Sequence, residues 1–457
     1  MRYWILATVI IVGFNNTSQS AEPVEIGSRL ELFVDDHLVE STEGDIQQVV
    51  QNPEPKEVVY VHDQVWGGNI CAYYTVFQDG ETYRMYFRSA QYTKDKPSDP
   101  SWAFAVCAVS EDGVHWTDPN LGMVTWRGSD ENNILRFEDG FKGNAYHNFT
   151  VFRDNNPATL PEARYKGVGG LGHGLLGYQS PDAIHWEKVQ EKPIITNGKF
   201  DSQNLVFWDS DRNEYRAYWR YSPDGKLRLI RTATSPDFLT WENEHNVTFT
   251  EGLEQNNLYT SAVQKYFRAP HLFIAFPTKF FPETEQVEPI FMSSRDGVQF
   301  HPLTGAVIPR SAPKDRDLNR SNYMAWGMVQ LPGQPNEISV YGTENYFQST
   351  PSRVRRFVFR LDGFVALHGG EAGGQLLTKP LQYTGKKLLL NSVVPEGGTL
   401  EVEVLDQSGS VVGVSNPIVG DSIDAAVSWK QDPQLSEGIV QLRFNITNAD
   451  VFSFRFN

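Results

Sequence analysis

The chain has 457 residues, a formal net charge of −16, 13% aromatic residues, 37 Gly and 26 Pro. That length admits two or three domains, and the acidic balance argues against nucleic acid or an anionic membrane surface as a general partner, though not against a local basic site. Past the N-terminus no apolar run reaches the roughly 18 residues a membrane helix needs, so no membrane partner is expected either.

Taken in order, Arg2, an apolar run from Tyr3 to Phe14 and the small polar residues Ser18, Gln19, Ser20 and Ala21 predict a secretory signal peptide over residues 1–20. A secreted or periplasmic location follows. The run Leu30 to Asp36 predicts a strand that closes a ring with the last repeat. The two cysteines, Cys71 and Cys107, fall on the first and third strands of one unit. Two strand spacings are about 9.6 Å, too far for a disulfide, so both should be buried thiols.

The middle of the chain is organised by a repeat. Ser110-Glu111-Asp112-Gly113-Val114-His115-Trp116 returns as Ser180-Pro181-Asp182-Ala183-Ile184-His185-Trp186 and as Ser235-Pro236-Asp237-Phe238-Leu239-Thr240-Trp241. A looser copy runs from Ser294 to Phe300. The closing aromatics are 70, 55 and 59 residues apart, room for a four-stranded unit. An Asp-Gly-type turn after an alternating apolar run is hairpin chemistry between two outer strands, and radial repetition of such units is a propeller. First strands are predicted at 72–77, 147–152, 201–207, 258–263 and 322–328, and second strands at 83–88, 164–168, 215–220, 271–276 and 337–341. The fold class is therefore all-β: a five-bladed β-propeller over 21–367, then a small β-sandwich over 368–457, where the Trp-rich repeat stops beyond Gly369, Gly370, Gly373 and Gly374.

In a propeller the starts of inner strands and the ends of second strands meet at one mouth. That rule collects Asp63, His147, Asn148, Asp201, Gln203, Asn204 and Asn322 from first strands, and Arg88, Arg220, Lys279 and Glu344 from second strands; Arg320 stands just before the last first strand. Asp63, Asp201 and Glu344 are the candidate catalytic carboxylates, because glycoside hydrolysis needs one carboxyl to protonate the leaving oxygen and another to attack or to activate water. Glu254 is a weaker candidate. Arg88, His147, Asn148, Gln203, Asn204, Arg220, Lys279, Arg320 and Asn322 are the candidate substrate-binding residues. The basic members would pair with carboxylate or sulfate groups of an anionic sugar. Trp66, Trp219, Tyr259 and Trp326 are candidates for stacking on sugar faces. The histidines, His62, His147, His173 and His185 among them, have no metal-ligand spacing, and no Gly-x-Ser-x-Gly elbow occurs. No metal or organic cofactor is expected at the site, while a structural Ca²⁺ on the propeller axis stays open, as does the oligomeric state.

The runs Leu32-Phe33-Val34-Asp35-Asp36, Tyr83-Arg84-Met85-Tyr86, Phe200-Asp201-Ser202-Gln203-Asn204, Phe267-Arg268-Ala269-Pro270-His271, Leu361-Asp362-Gly363-Phe364 and Leu376-Leu377-Thr378-Lys379-Pro380-Leu381 resemble a family of secreted bacterial proteins similar to glycoside hydrolase family 32. The resemblance implies a five-bladed propeller of the invertase-like and arabinanase-like kind, with an Asp, a second Asp and a Glu on inner strands. By that analogy the neighbourhood of Asp63 supplies the nucleophile or base, and Asp201 another acidic member. The chain departs from the pattern in lacking a Trp-Met-Asn-Asp-Pro-Asn-Gly run, and it has Gly67 after the Trp of the first blade, where relatives often carry Glu. The expected function is a secreted glycoside hydrolase on a carbohydrate substrate. The alternatives are a non-catalytic carbohydrate-binding propeller and a polysaccharide lyase.

Overall fold

The computed structural model describes residues 22–92, 102–137, 144–172, 174–223, 225–250, 253, 256–310, 322–347 and 350–457. The signal-peptide reading, His173, Glu254 and Arg320 lie outside the described residues. The described chain is all-β, with two short 3-10 turns, Asn144–His147 and Pro161–Ala163. No described helix is long and apolar enough to cross a membrane.

Five sheets follow one another along the chain. The first is Ala72–Asp79, Thr82–Gln91 and Trp102–Ser110. The second comprises Thr150–Arg153, Tyr165–Gly169, Leu176–Ser180 and Glu187–Lys188, and the third Leu205–Asp209, Glu214–Tyr221, Leu229–Ser235 and Glu242–Asn246. The fourth is built on Gln264–Tyr266, Ala269–Ala275, Gln286–Ser294 and Gln299–Ala306. The fifth joins Glu337–Glu344 and Arg353–Arg360 to Glu54–Val61 from far earlier in the chain.

That last pairing corrects one expectation. The run at Leu30–Asp36 does not close the ring: Glu31–Leu32 pairs with Ser453 and Phe454 of the C-terminal sheet. The run packs both ways: the Phe33 ring lies 5.5 Å from Phe444 and 5.6 Å from Phe454 in the C-terminal cluster, while Leu30, Leu32 and Val34 pack with Ile274, Phe291 and Val340 of the fourth and fifth sheets. Val24–Gly27 and Val39–Val50 also pair with that sheet, which otherwise spans residues 365–456. Asp362, 1% exposed, ties the two parts together by accepting from Arg268 Nε at 2.9 Å, from Tyr266 Oη and from Ser453 Oγ at 3.3 Å.

Inner strands are also shorter than their apolar runs predict. The second sheet starts at Thr150, because His147 ends a 3-10 turn, and the third starts at Leu205, after the 201–204 loop. Residues 259–263 form no strand. The 322–328 run makes isolated bridges, Met324 to Gly342 and Thr75 to Trp326. Here Gly327 is required: its φ is +132°, and a Cβ would meet Val76 O at 1.8 Å.

The repeat is a structural device. In each copy the Asp Oδ1 accepts two backbone N–H groups, as Asp112 does from Val114 at 2.9 Å and His115 at 2.8 Å, and likewise Asp182, Asp237 and Asp296. The next residue takes positive φ, +74° at Gly113, +66° at Ala183, +72° at Phe238 and +76° at Gly297. In three of the four copies a tyrosine from the preceding sheet of the ring donates to that residue's carbonyl: Tyr341 to Gly113 at 2.7 Å, Tyr86 to Ala183 at 2.8 Å, and Tyr218 to Gly297 at 2.7 Å. Each such bond contributes on the order of 1 kcal/mol and fixes one sheet against the next. His115 and His185 bond their own Asp at 2.7 Å. Cys71 and Cys107 are buried free thiols, and burial pushes them up to about 11 and about 12.

Candidate functional site

The starts of the first, second and third inner strands bring Tyr73, His147 and Asp201 together. Tyr73 sits at φ +63° in a register shift between Ala72 and Thr75, a sparsely populated conformation for a bulky residue. The kink places its ring 4.7 Å below the Arg88 guanidinium and 6.2 Å from the His147 ring. Arg88, 6% exposed, donates through Nη2 to Ile70 O at 3.0 Å and to Tyr346 Oη at 2.9 Å, while Nη1 lies 3.1 Å from His147 Nε2.

The same His147 nitrogen is 2.8 Å from Asp201 Oδ1. This bond, opposed by burial and joined by the Arg220 and Arg88 cations, holds the Asp201 carboxyl down to about 2 from its ordinary 3.8. Burial, opposed by the Asp201 bond and aided by Arg88, lowers His147 below the ordinary histidine value. At neutral pH the pair is thus an imidazole N–H donating to a carboxylate. The Asp201 side chain remains 57% exposed.

The loop carrying Asp201 is held from both sides. Asn148 Nδ2 donates to Phe200 O, to Ser202 O at 2.8 Å and to Gly170 O at 3.0 Å. Asn204 Nδ2 repeats the grip on Phe200 O at 2.9 Å and Ser202 O at 3.0 Å. Ser202 Oγ donates to Tyr259 O at 2.7 Å, and Gln203 Nε2 crosses to Tyr74 O on the first sheet at 2.8 Å. Asn148, Gln203 and Asn204 are 3% exposed or less and saturate main-chain carbonyls. They therefore position Asp201 instead of meeting substrate, which corrects their assignment as binding groups.

Cations and rings line the remaining wall. The guanidinia of Arg220 and Arg228 lie 5.3 and 5.2 Å from the Tyr259 ring centroid. Tyr323 stands 5.7 Å from Tyr259 and 5.5 Å from Tyr346. Lys279, paired in register with Leu258, lies over Phe281 at 5.3 Å. Among the described residues Arg220, Arg228 and Lys279 form no salt bridge, though the Arg220 charge acts on Asp201. Asn322 is buried at φ +72°.

Two candidate carboxylates lie elsewhere. Glu344 is 0% exposed, its oxygens 2.6 Å from Arg353 Nε and 2.6 Å from Arg355 Nε on the neighbouring strand. It is a buried ion-pair residue, which corrects its assignment as catalytic. Asp63 is exposed, and its charge acts on Asp118, a half-buried carboxylate held by Tyr60, Gln64 and Asn133. Nothing among the described residues joins it to Asp201. Trp219 is core, 1% exposed, and Trp326 lies at the opposite end of the inner strands. Sequence reasoning passed over Tyr73, Tyr346 and Arg228. Tyr346, two residues past Glu344, follows from the same strand-end rule, whereas the kink at Tyr73 leaves no signal in an apolar run.

No protein-family model and no curated protein sequence matches the chain. Solved structures do. A structure described as a glycoside hydrolase superposes with TM-score 0.50 at 15% identity, over 68% of this chain and 92% of that one. A thermostable family-43 glycoside hydrolase gives TM-score 0.46 at 13% identity, over 67% of this chain and 95% of that one. The chain shares the β-propeller fold of glycosidases. The resemblance to proteins similar to glycoside hydrolase family 32 thus holds at the level of the fold.

Proposed function

We propose that the chain is a secreted glycoside hydrolase whose Asp201 carboxylate acts on an anionic oligo- or polysaccharide at the propeller mouth. The observation that carries this is Asp201 itself: ionised, fixed by His147 through one oxygen, half exposed, and set in a wall of tyrosines and arginines. A carboxylate held at about 2 is suited to be the base or nucleophile and unsuited to be the proton donor. His147 orients it, Arg88 and Arg220 supply positive charge for a uronate or sulfate, and Tyr259 and Tyr73 offer ring faces. Glu254, outside the described residues, is the remaining sequence candidate for the acid, and its separation from Asp201 would set a retaining or inverting outcome. Within this reading residues 51–363 form a five-bladed propeller, and residues 24–50 join 365–457 in an accessory β-domain.

A second reading, a carbohydrate-binding propeller without catalysis, is favoured by one observation. Glu344 is closed in ion pairs with Arg353 and Arg355, and no described contact joins Asp63 to Asp201. Product analysis on neutral, uronate-containing and sulfated glycans separates the two. Reducing ends released from an anionic glycan and lost in Asp201→Asn support the hydrolase. Binding without release supports the second reading, and a product with an unsaturated, UV-absorbing end would make the protein a lyase.

A further inference from the structure

The far end of the propeller axis carries a second cavity of about 570 Å³, within the ~300–1,000 Å³ range of small-molecule sites. Its walls come from the other ends of the inner strands: Thr75–Gln78 of the first sheet, Val151–Arg153 of the second and Trp326–Gln330 of the fifth. It is separated from the Asp201 mouth by Gln203, whose Nε2 reaches Tyr74 O at 2.8 Å and Thr75 Oγ1 at 3.3 Å across the axis. The two sites are back to back.

We propose that this cavity is a binding site for the end of a neutral oligosaccharide. Three observations carry the assignment. First, the polar lining is built largely from amides, Gln78, Asn155, Gln264 and Gln330; Nε2 of Gln78 and of Gln330 already donates to Gly80 O at 3.0 Å and to Pro335 O at 2.6 Å, while amide oxygens can accept from sugar hydroxyls. Second, Gln264 is 9% exposed, lines the cavity, and its Nε2 is buried with no hydrogen-bond partner, a donor left over from folding that a ligand acceptor would satisfy. Third, flat apolar faces stand beside these amides. Trp326 lines the wall with its own indole N–H already given to Val263 O at 2.8 Å. Phe267 at the rim is 48% exposed. Alternating ring faces and amides match the C–H faces and hydroxyls of a pyranose. The lining holds one charged side chain, Arg153, which already faces Asp79 at 3.7 Å. The site therefore suits a neutral sugar, in contrast with the cationic mouth on the other face.

The test uses the full mature protein and its Asp201→Asn form, titrated with a neutral tetrasaccharide (cellotetraose or maltotetraose) and with a uronate tetrasaccharide, read by calorimetry and by Trp fluorescence. Neutral-sugar binding should persist in Asp201→Asn and quench Trp fluorescence. It should weaken at least tenfold in Phe267→Ala, a rim change that leaves the core intact, and in Gln264→Met, which keeps the volume and removes the amide. Action on an anionic glycan at the mouth should be unaffected by Phe267→Ala. Neutral-sugar binding unchanged in both cavity variants, binding abolished by Asp201→Asn, or no neutral-sugar binding at millimolar concentration would each overturn the assignment. Because these readouts do not depend on turnover, the site at the mouth can fail its own test without deciding this one.

Discussion

Asp201 Oδ1 and His147 Nε2 stand 2.8 Å apart, and the same ring nitrogen lies 3.1 Å from the Arg88 guanidinium. A neutral imidazole nitrogen can donate to a carboxylate or accept from a guanidinium, but not both at once. With the carboxyl held ionised, the proton belongs on Nε2 and points at Asp201. Arg88 then acts through its charge, and its position is set by Ile70 O and Tyr346. Asp201→Asn keeps the shape and removes the charge. Turnover on the cleaved glycan should fall by about 10²–10⁴-fold, with the fold retained and a small drop in melting temperature from the lost His147 pairing; turnover within twofold of wild type would remove Asp201 from the mechanism.

The pH profile follows from the same contact. Asp201 is depressed to about 2 from 3.8, so its ionised form is retained until pH falls toward 2. The acid limb of kcat/KM should lie well below pH 4, provided the fold survives there. Replacing His147 by Gln removes the strongest of the groups holding the carboxyl down, so the limb should move upward toward the ordinary aspartate value. Profiles of the two proteins that coincide would show that His147 does not tune Asp201.

Asn148 is a positioning residue. It is 0% exposed and its amide holds the carbonyls on either side of Asp201. Asn148→Ala leaves the Gly170 N–H and carbonyl without their side-chain partner, at about 1–3 kcal/mol, and leaves Asn204 alone to hold Phe200 O and Ser202 O. The loop should loosen, lowering kcat more than it raises KM, together with a drop in melting temperature. A purely structural role would lower the melting temperature and leave kcat of the folded fraction intact.

The all-β fold was legible because each repeat reads locally: Asp112, Asp182, Asp237 and Asp296 each cap their own turn, and no distant partner is needed to form it. The mouth was legible in part, since strand ends supply Arg88, His147, Asp201 and Arg220. Strand pairing at a distance was not. Nothing local distinguishes the strand that pairs with the fifth sheet, Glu54–Val61, from the one that joins the C-terminal sheet, Glu31–Leu32. Glu344 misled for a related reason. Its strand position is that of a mouth residue, but Arg353 and Arg355 on the next strand bury it. Residue type and strand end place a carboxylate at a rim; the register with its neighbour decides whether it is used.

Arg220 tests the charge of the substrate. Its Nε donates to Lys199 O at 3.0 Å, and its charge acts on Asp201 without a described salt bridge. Arg220→Gln should raise KM for a uronate or sulfated glycan at least tenfold and flatten its dependence on salt, because screening acts on the lost attraction. An equal loss on neutral and anionic glycans would assign Arg220 to packing against Tyr259 instead.

Stability at low pH should depend on Glu31, remote from the mouth. It is 0% exposed, beside Arg29 at 2.6 Å, Arg295 at 3.1 Å and His271 at 3.4 Å. Burial alone would raise its pKa, but His271, Arg295 and Arg29 together hold it down to about 2 from 4.5. A depressed folded-state value contributes stability that is complete above the ordinary value and is lost as pH falls through the folded one. The contribution should therefore be flat above about pH 5 and fade between 4.5 and 2. Glu31→Gln leaves Arg295 buried with only Asp35 as its partner and should cost about 3–5 kcal/mol near neutral pH, the range for breaking a buried pair. The gap between wild type and variant, measured by denaturant unfolding, should narrow as pH is lowered from 5 to 3. A gap that stays constant across that window would mean that Glu31 stabilises through packing and hydrogen bonding alone, with no part played by its charge.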